Sequence, residues 1–113
     1  MKKTLAIDFD GTLSAYTGWK GEEAPLDPPL PGAIDFLNEC LDHGFKVTIF
    51  TTRPIQLVDE WLDQYAGPDV ANVVEITNLK PPAWLYIDDR CFLFTGTYPS
   101  IDEINNFKAW WQK

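Results

Sequence analysis

The chain has 113 residues, 45% of them hydrophobic and 23% charged, the proportions of one domain large enough to bury a core. Its formal net charge of −8 argues against a generic grip on long nucleic acids, which are held by excess Lys and Arg, but leaves room for an anionic substrate beside a bound cation. Cys40 and Cys91 lack metal-ligand spacing and read as reduced thiols of a cytoplasmic protein, and no apolar stretch is long enough to span a membrane.

The opening MKKTLAIDFDG is basic and then apolar, but the apolar run breaks at Asp8, too short for a secretory leader. Leu5 to Phe9 predicts a buried strand that ends at the turn dipeptide Asp10-Gly11. Residues 14–31 carry four prolines and two glycines, which predicts an irregular loop, and loops of that length are often functional. Pro31 suits a helix start, with Ile34, Leu37 and Leu41 at helical spacing and Gly44 as the stop. FKVTIF predicts a second strand running into Thr51, Thr52 and Arg53. Pro54 opens another helix, with Ile55, Val58, Leu62 and Tyr65 as its inward stripe and Gly67-Pro68 as its end. NVVEIT and WLYI predict two further strands, and FLF a small fifth. Ser100 and Glu103 form a capping-box pattern before a last helix carrying Ile104, Phe107 and Trp111. His43, beside Gly44, reads as a partner of the helix C-terminal dipole.

Strands alternating with helices predict an α/β fold of three-layer, Rossmann-like type with a mostly parallel central sheet, the chain 1–113 forming one domain. Ligands of such sheets sit beyond the carboxyl ends of the strands. Three predicted strands end there in polar groups: Asp8 and Asp10; Thr51, Thr52 and Arg53; Asp88, Asp89 and Arg90. Carboxylates gathered in one pocket raise each other's pKa, and a hard divalent cation relieves them; few carboxylates plus a phosphate suit Mg²⁺. Taken one at a time, each feature has an ordinary alternative. The acids read equally as solvated turn residues, Thr51 and Thr52 as caps of the following helix, and Lys80 as a surface lysine held in extended chain by the prolines after it.

The ordered set is more specific. Asp-x-Asp-Gly-Thr after a strand, then Thr51, then Lys80, then Asp88-Asp89 resembles the haloacid dehalogenase-like phosphohydrolase superfamily. DFDGTL fits the first motif of that superfamily, and the paired acids Asp88-Asp89 are more like those of its deoxyribonucleotidases and carboxy-terminal-domain phosphatases. No large cap domain is encoded, so the resemblance is to a capless member in which only residues 14–31 would act as a flap. The resemblance implies that Asp8 is the nucleophile and Asp10 the acid and base. It implies that Thr51 binds the phosphoryl group and that Lys80 neutralises charge. Gly11, Thr12, Thr52 and Arg53 would complete the phosphate loop. It also implies Mg²⁺ held by the Asp8 carboxylate, the Asp10 backbone carbonyl and Asp89, with Asp88 in support. The substrate class it implies is a phosphate monoester of a small molecule such as a nucleotide or sugar phosphate, and a neighbouring subunit could serve as a lid in an oligomer.

Tyr16, Trp19 and Lys20 in the loop, with Arg53 and Arg90 at the strand ends, are placed to reach a leaving group; Trp84, Trp110 and Trp111 read as packing residues. Two rival functions use the same residue types. A receiver-like signalling domain accepts a phosphoryl group without turnover, but it carries its acid pair first and its phosphoacceptor mid-chain, the reverse of the order here. A non-catalytic partner-binding domain is the other, although every chemical position of the superfamily is occupied.

Overall fold

The computed structural model describes residues 2–112. Strand β1 (Thr4–Asp8) leads through the loop to helix α1 (Ala33–Asp42), then β2 (Lys46–Phe50), helices α2 (Ile55–Ala66) and α3 (Pro68–Val73), and β3 (Glu75–Thr77). A helix-free connection precedes β4 (Leu85–Ile87), after which the chain forms α4 (Ile101–Asn105) and a closing 3₁₀ turn, Trp110–Gln112. The four strands form one sheet in the order β3-β2-β1-β4, and every pairing is parallel. This is the expected α/β architecture, a parallel sheet with flanking helices.

Burial explains the central position of β1. Leu5, Ile7, Val47 and Ile49 are buried on adjacent strands, and Phe9, Leu37, Val58 and Leu62 join them in one core. Each such side chain contributes about 1.5–3 kcal/mol by leaving water. Register then sets the level of the strand ends. Asp8 pairs with Phe50 and Ile7 with Ile87, so Asp88 follows level with Asp8 on one side of β1 and Thr51 emerges one residue past Phe50 on the other. The chain reverses its direction of travel across the sheet at β1, which is the switch point where parallel sheets open a crevice.

Several elements differ from their expected form. The inward stripe of α2 is Val58, Trp61 and Leu62, while Ile55 and Tyr65 are exposed. Trp61 turns inward because its ring meets Phe9 edge-on, with centroids 4.8 Å apart. Residues 72 and 73 belong to α3, which Pro68 starts at a position where its missing N–H costs nothing. Phe92 to Phe94 form no strand. The capping box of Ser100 and Glu103 is present with both hydrogen bonds, yet α4 runs for five residues only. Ile101 is 71% exposed and Ile104 is 55% exposed, so no packed face prolongs the helix. Phe107 therefore lies beyond it, and Trp111 belongs to the 3₁₀ turn. Cys40 and Cys91 are free thiols. Among the described residues no helix is long and apolar enough to cross a membrane.

Candidate active site

The turn after β1 is wound tightly around one carbonyl. Phe9 O accepts from the backbone N–H groups of Thr12, Leu13 and Ser14, which projects Asp8 and Asp10 in different directions. Gly11 makes this possible: its φ is +79°, and an added Cβ would collide with Asp89 Oδ2 and lie 2.8 Å from Trp111 Nε1. Thr12 Oγ1 donates to Asp8 Oδ2 at 3.2 Å, so the hydroxyl steadies the first acid. Ser14, fully buried, closes the neck of the loop: it bridges to both Asp10 and Pro29. Trp61 Nε1 donates to Asp27 O at 2.8 Å, pinning the far side of the loop to α2.

Asp8, Asp88 and Asp89 form the first half of the site, with one carboxylate oxygen of each within 4.8 Å of the others. Asp88 Oδ1 accepts from the Arg90 N–H at 2.9 Å, and Asp89 Oδ2 accepts from Trp111 Nε1 at 2.6 Å. Burial, and then the two neighbouring carboxyls, push the Asp8 carboxyl up to about 8, against the opposing pull of the Thr12 hydroxyl. Desolvation likewise raises Asp88 above the ordinary carboxylate range. Among the described residues no lysine or arginine is ion-paired with these three acids. Three hard oxygen donors crowded without a counter-charge could hold a metal cation. Asp10 is not one of the three carboxylates.

The second half is built on the β2 end. Arg53, buried just before the N-cap of α2, donates from Nε to Asp10 Oδ2 at 2.8 Å and from Nη2 to Asp10 Oδ1 at 3.1 Å. That carboxylate is the main reason the guanidinium is held still more firmly protonated than usual. Arg53 is expected among the phosphate-binding residues; of its three guanidinium nitrogens, Nε and Nη2 serve Asp10 here. Thr51 is buried, and its Oγ1 accepts from the Arg53 N–H at 3.0 Å. Neither Thr51 nor Thr52 caps α2, whose N-cap is Pro54 with no side-chain cap. Asn78 fastens this corner, its amide donating to Thr51 O at 2.6 Å and Arg53 O at 2.9 Å.

Between the halves lies a cleft of about 310 Å³. Asp8, Asp10, Thr51, Thr52, Asp88 and Asp89 line it together with Tyr16, Trp19 and Arg90. The loop thus reaches the site through two aromatic rings, with the Arg53 guanidinium 4.9 Å from the Trp19 ring centroid. Lys80 does not line the cleft; its Nζ lies 4.8 Å from the centroid of the Tyr86 ring. Two contributions are absent from the motif pattern. Asn78 follows β3 without any spacing signal. Trp110 and Trp111, expected only to pack, donate hydrogen bonds to Gly11 O and Asp89.

No protein-family model and no curated protein matches the chain. Among solved structures it is similar to a conserved protein of Bacteroides thetaiotaomicron, with a TM-score of 0.56 and 22% identity over 99% of this chain and 97% of that one. At that identity the likeness supports the fold alone.

Proposed function

We propose that this chain is a Mg²⁺-dependent phosphohydrolase that cleaves a phosphate monoester through an aspartyl-phosphate on Asp8. The observation that carries this reading is the convergence of Asp8, Asp88 and Asp89 on one cleft with Asp10 and Thr51. That convergence supports the reading because it would provide a nucleophile, a proton-transfer group and a phosphoryl-binding hydroxyl around a cation-type acid cluster. The ordered resemblance to the haloacid dehalogenase-like superfamily supports it independently of the geometry.

In the proposed reaction an Asp8 carboxylate oxygen attacks phosphorus, the bond to the leaving oxygen breaks, and Asp10 delivers a proton to that oxygen. Asp10 then takes a proton from water, the water oxygen attacks phosphorus, and the Asp8–phosphorus bond breaks to release inorganic phosphate. Both Asp10 oxygens accept from Arg53, which leaves a second lone pair on each for the proton that Asp10 would carry. Thr51 and Thr52 bind phosphoryl oxygens. Asp8 and Asp89, with Asp88 in support, would hold Mg²⁺, which would supply positive charge to offset the carboxylates and the phosphoryl oxygens. Lys80 enters through the resemblance alone: two residues beyond Asn78, its flexible stem would have to leave Tyr86 to reach the phosphoryl group. A cleft of about 310 Å³ suits a small phosphate ester such as a nucleotide or sugar phosphate.

The test is steady release of phosphate from p-nitrophenyl phosphate. Turnover should appear with Mg²⁺, stop with excess chelator and return on re-addition. Labelling by a small phosphodonor without turnover would replace the hydrolase with a receiver-like acceptor, and absence of both would leave a partner-binding domain.

A further inference from the structure

We propose that Trp111 is a positioning residue of this site, its indole N–H fixing one oxygen of Asp89 so that the other is presented to the cation. Its role rests on the reading of the acid cluster as a Mg²⁺ site.

The closing 3₁₀ turn docks onto that cluster and onto the turn after β1 at once. Trp111 Nε1 donates to Asp89 Oδ2 at 2.6 Å, and Trp110 Nε1 donates to Gly11 O at 2.7 Å, across a sequence separation of 99. The turn is anchored by Ala109, 1% exposed, whose N–H donates to Gln112 Oε1 at 2.9 Å. The Trp111 ring stands edge-on to Tyr16 at 5.1 Å and lies 5.2 Å from the Arg90 guanidinium. The indole is therefore held in place from outside the acid cluster. Gly11 has no side chain at the one point where a Cβ would meet both Trp111 Nε1 and Asp89 Oδ2.

The chemistry of the donor matters. An indole N–H is a donor without charge and without an accepting atom. It orients a carboxylate and leaves its negative charge to the cation, whereas Lys or Arg in the same place would neutralise it. Partners of this kind, one bond removed from a metal, set its affinity by restricting the ligand's orientation.

Trp111→Phe keeps the ring against Tyr16 and removes only the donor. Calorimetric titration of the full chain with MgCl₂ should give a Kd weakened by about 10- to 100-fold, with the melting temperature of the metal-free protein near that of the unaltered chain. Turnover lost at low Mg²⁺ should be recovered at high Mg²⁺. A Kd unchanged or tightened would overturn the proposal, the latter by making the indole a competitor of the cation. If Trp111→Phe does not fold, ¹⁵N indole spectra of the unaltered protein decide: Mg²⁺ must shift the Trp111 resonance and leave that of Trp84 in place, and an unmoved Trp111 overturns the role. Absence of Mg²⁺ binding by the unaltered chain overturns both this role and the metal reading. Mg²⁺ binding without phosphatase activity removes the hydrolase alone.

Discussion

Arg53 and Asp10, 43 positions apart, form a two-point ion pair, Nε to Oδ2 at 2.8 Å and Nη2 to Oδ1 at 3.1 Å. The Arg53 side chain is 9% exposed and that of Asp10 is 23% exposed, so neither charge is well served by water. The pair divides the two acids of the first motif: Asp8 faces other carboxylates, and Asp10 faces a guanidinium. Removing one partner strands the other. Arg53→Met should destabilise the protein by about 3 kcal/mol, read as a lower urea midpoint at unchanged slope. Asp10→Asn, which retains an acceptor for Arg53, should cost less stability than Arg53→Met while slowing turnover at least a hundredfold. Equal stability losses would show that the pair acts by packing rather than by charge.

Asp8→Asn separates chemistry from folding in the opposite sense. The substitution removes a charge that burial and two neighbouring acids disfavour, so the metal-free variant should melt at or above the temperature of the unaltered chain at pH 8. Phosphate release should vanish because an amide cannot serve as the nucleophile. Turnover near the original rate would remove Asp8 from the nucleophile's role.

The raised Asp8 carboxyl also sets a pH dependence. Its folded value is about 8 against an ordinary 3.8, so between those limits the folded chain binds the proton more tightly than the unfolded chain. Stability of the metal-free protein should therefore fall as pH rises through that window. Mg²⁺ favours the ionised form, so its binding should release protons below pH 8 and stabilise the protein. Melting curves with chelator and with MgCl₂ should diverge as pH rises from 5 to 8. Parallel curves, with no proton release in buffers of different ionisation enthalpy, would remove the linkage.

Gly11→Ala tests the closest approach in the site. A side chain there meets a φ of +79° as well as Asp89 and Trp111. The left-handed backbone alone costs about 1–2 kcal/mol, and the collision adds to it. The variant should lose both stability and Mg²⁺ affinity, measured by denaturant titration and calorimetry. A fully stable Gly11→Ala protein with unaltered Mg²⁺ affinity would contradict the packing of Trp111 on this turn.

Lys80→Met decides between the resemblance and the arrangement of the side chain on Tyr86. If Lys80 leaves Tyr86 to neutralise the phosphoryl oxygens, kcat should fall at least a hundredfold at little cost in stability, since Lys80 is exposed and in no ion pair among the described residues. An unchanged kcat would remove Lys80 from the charge-neutralising role.

What the sequence determined by itself is local. Apolar runs closed by acids or threonines placed β1 and β2, because a strand buried in a parallel sheet is written as a short continuous hydrophobic stretch; the same kind of run placed β4, although at the sheet edge its Leu85 and Tyr86 stay exposed. Ser100 and Glu103 announced their capping box, whose partners are three residues apart. The ordered acids and Thr51 marked the strand ends that register brings level. The tertiary structure alone decided which acid meets which partner. Asp10 goes to Arg53, Asp89 to Trp111 across a separation of 22, and Gly11 O to Trp110 across 99. Such pairings have no period and no spacing; they exist only after strand register and the docking of the last turn have fixed where each backbone lies. The same holds for the short α4 and for the exposed Phe92 to Phe94, whose apolar residues promise burial that the folded chain does not provide.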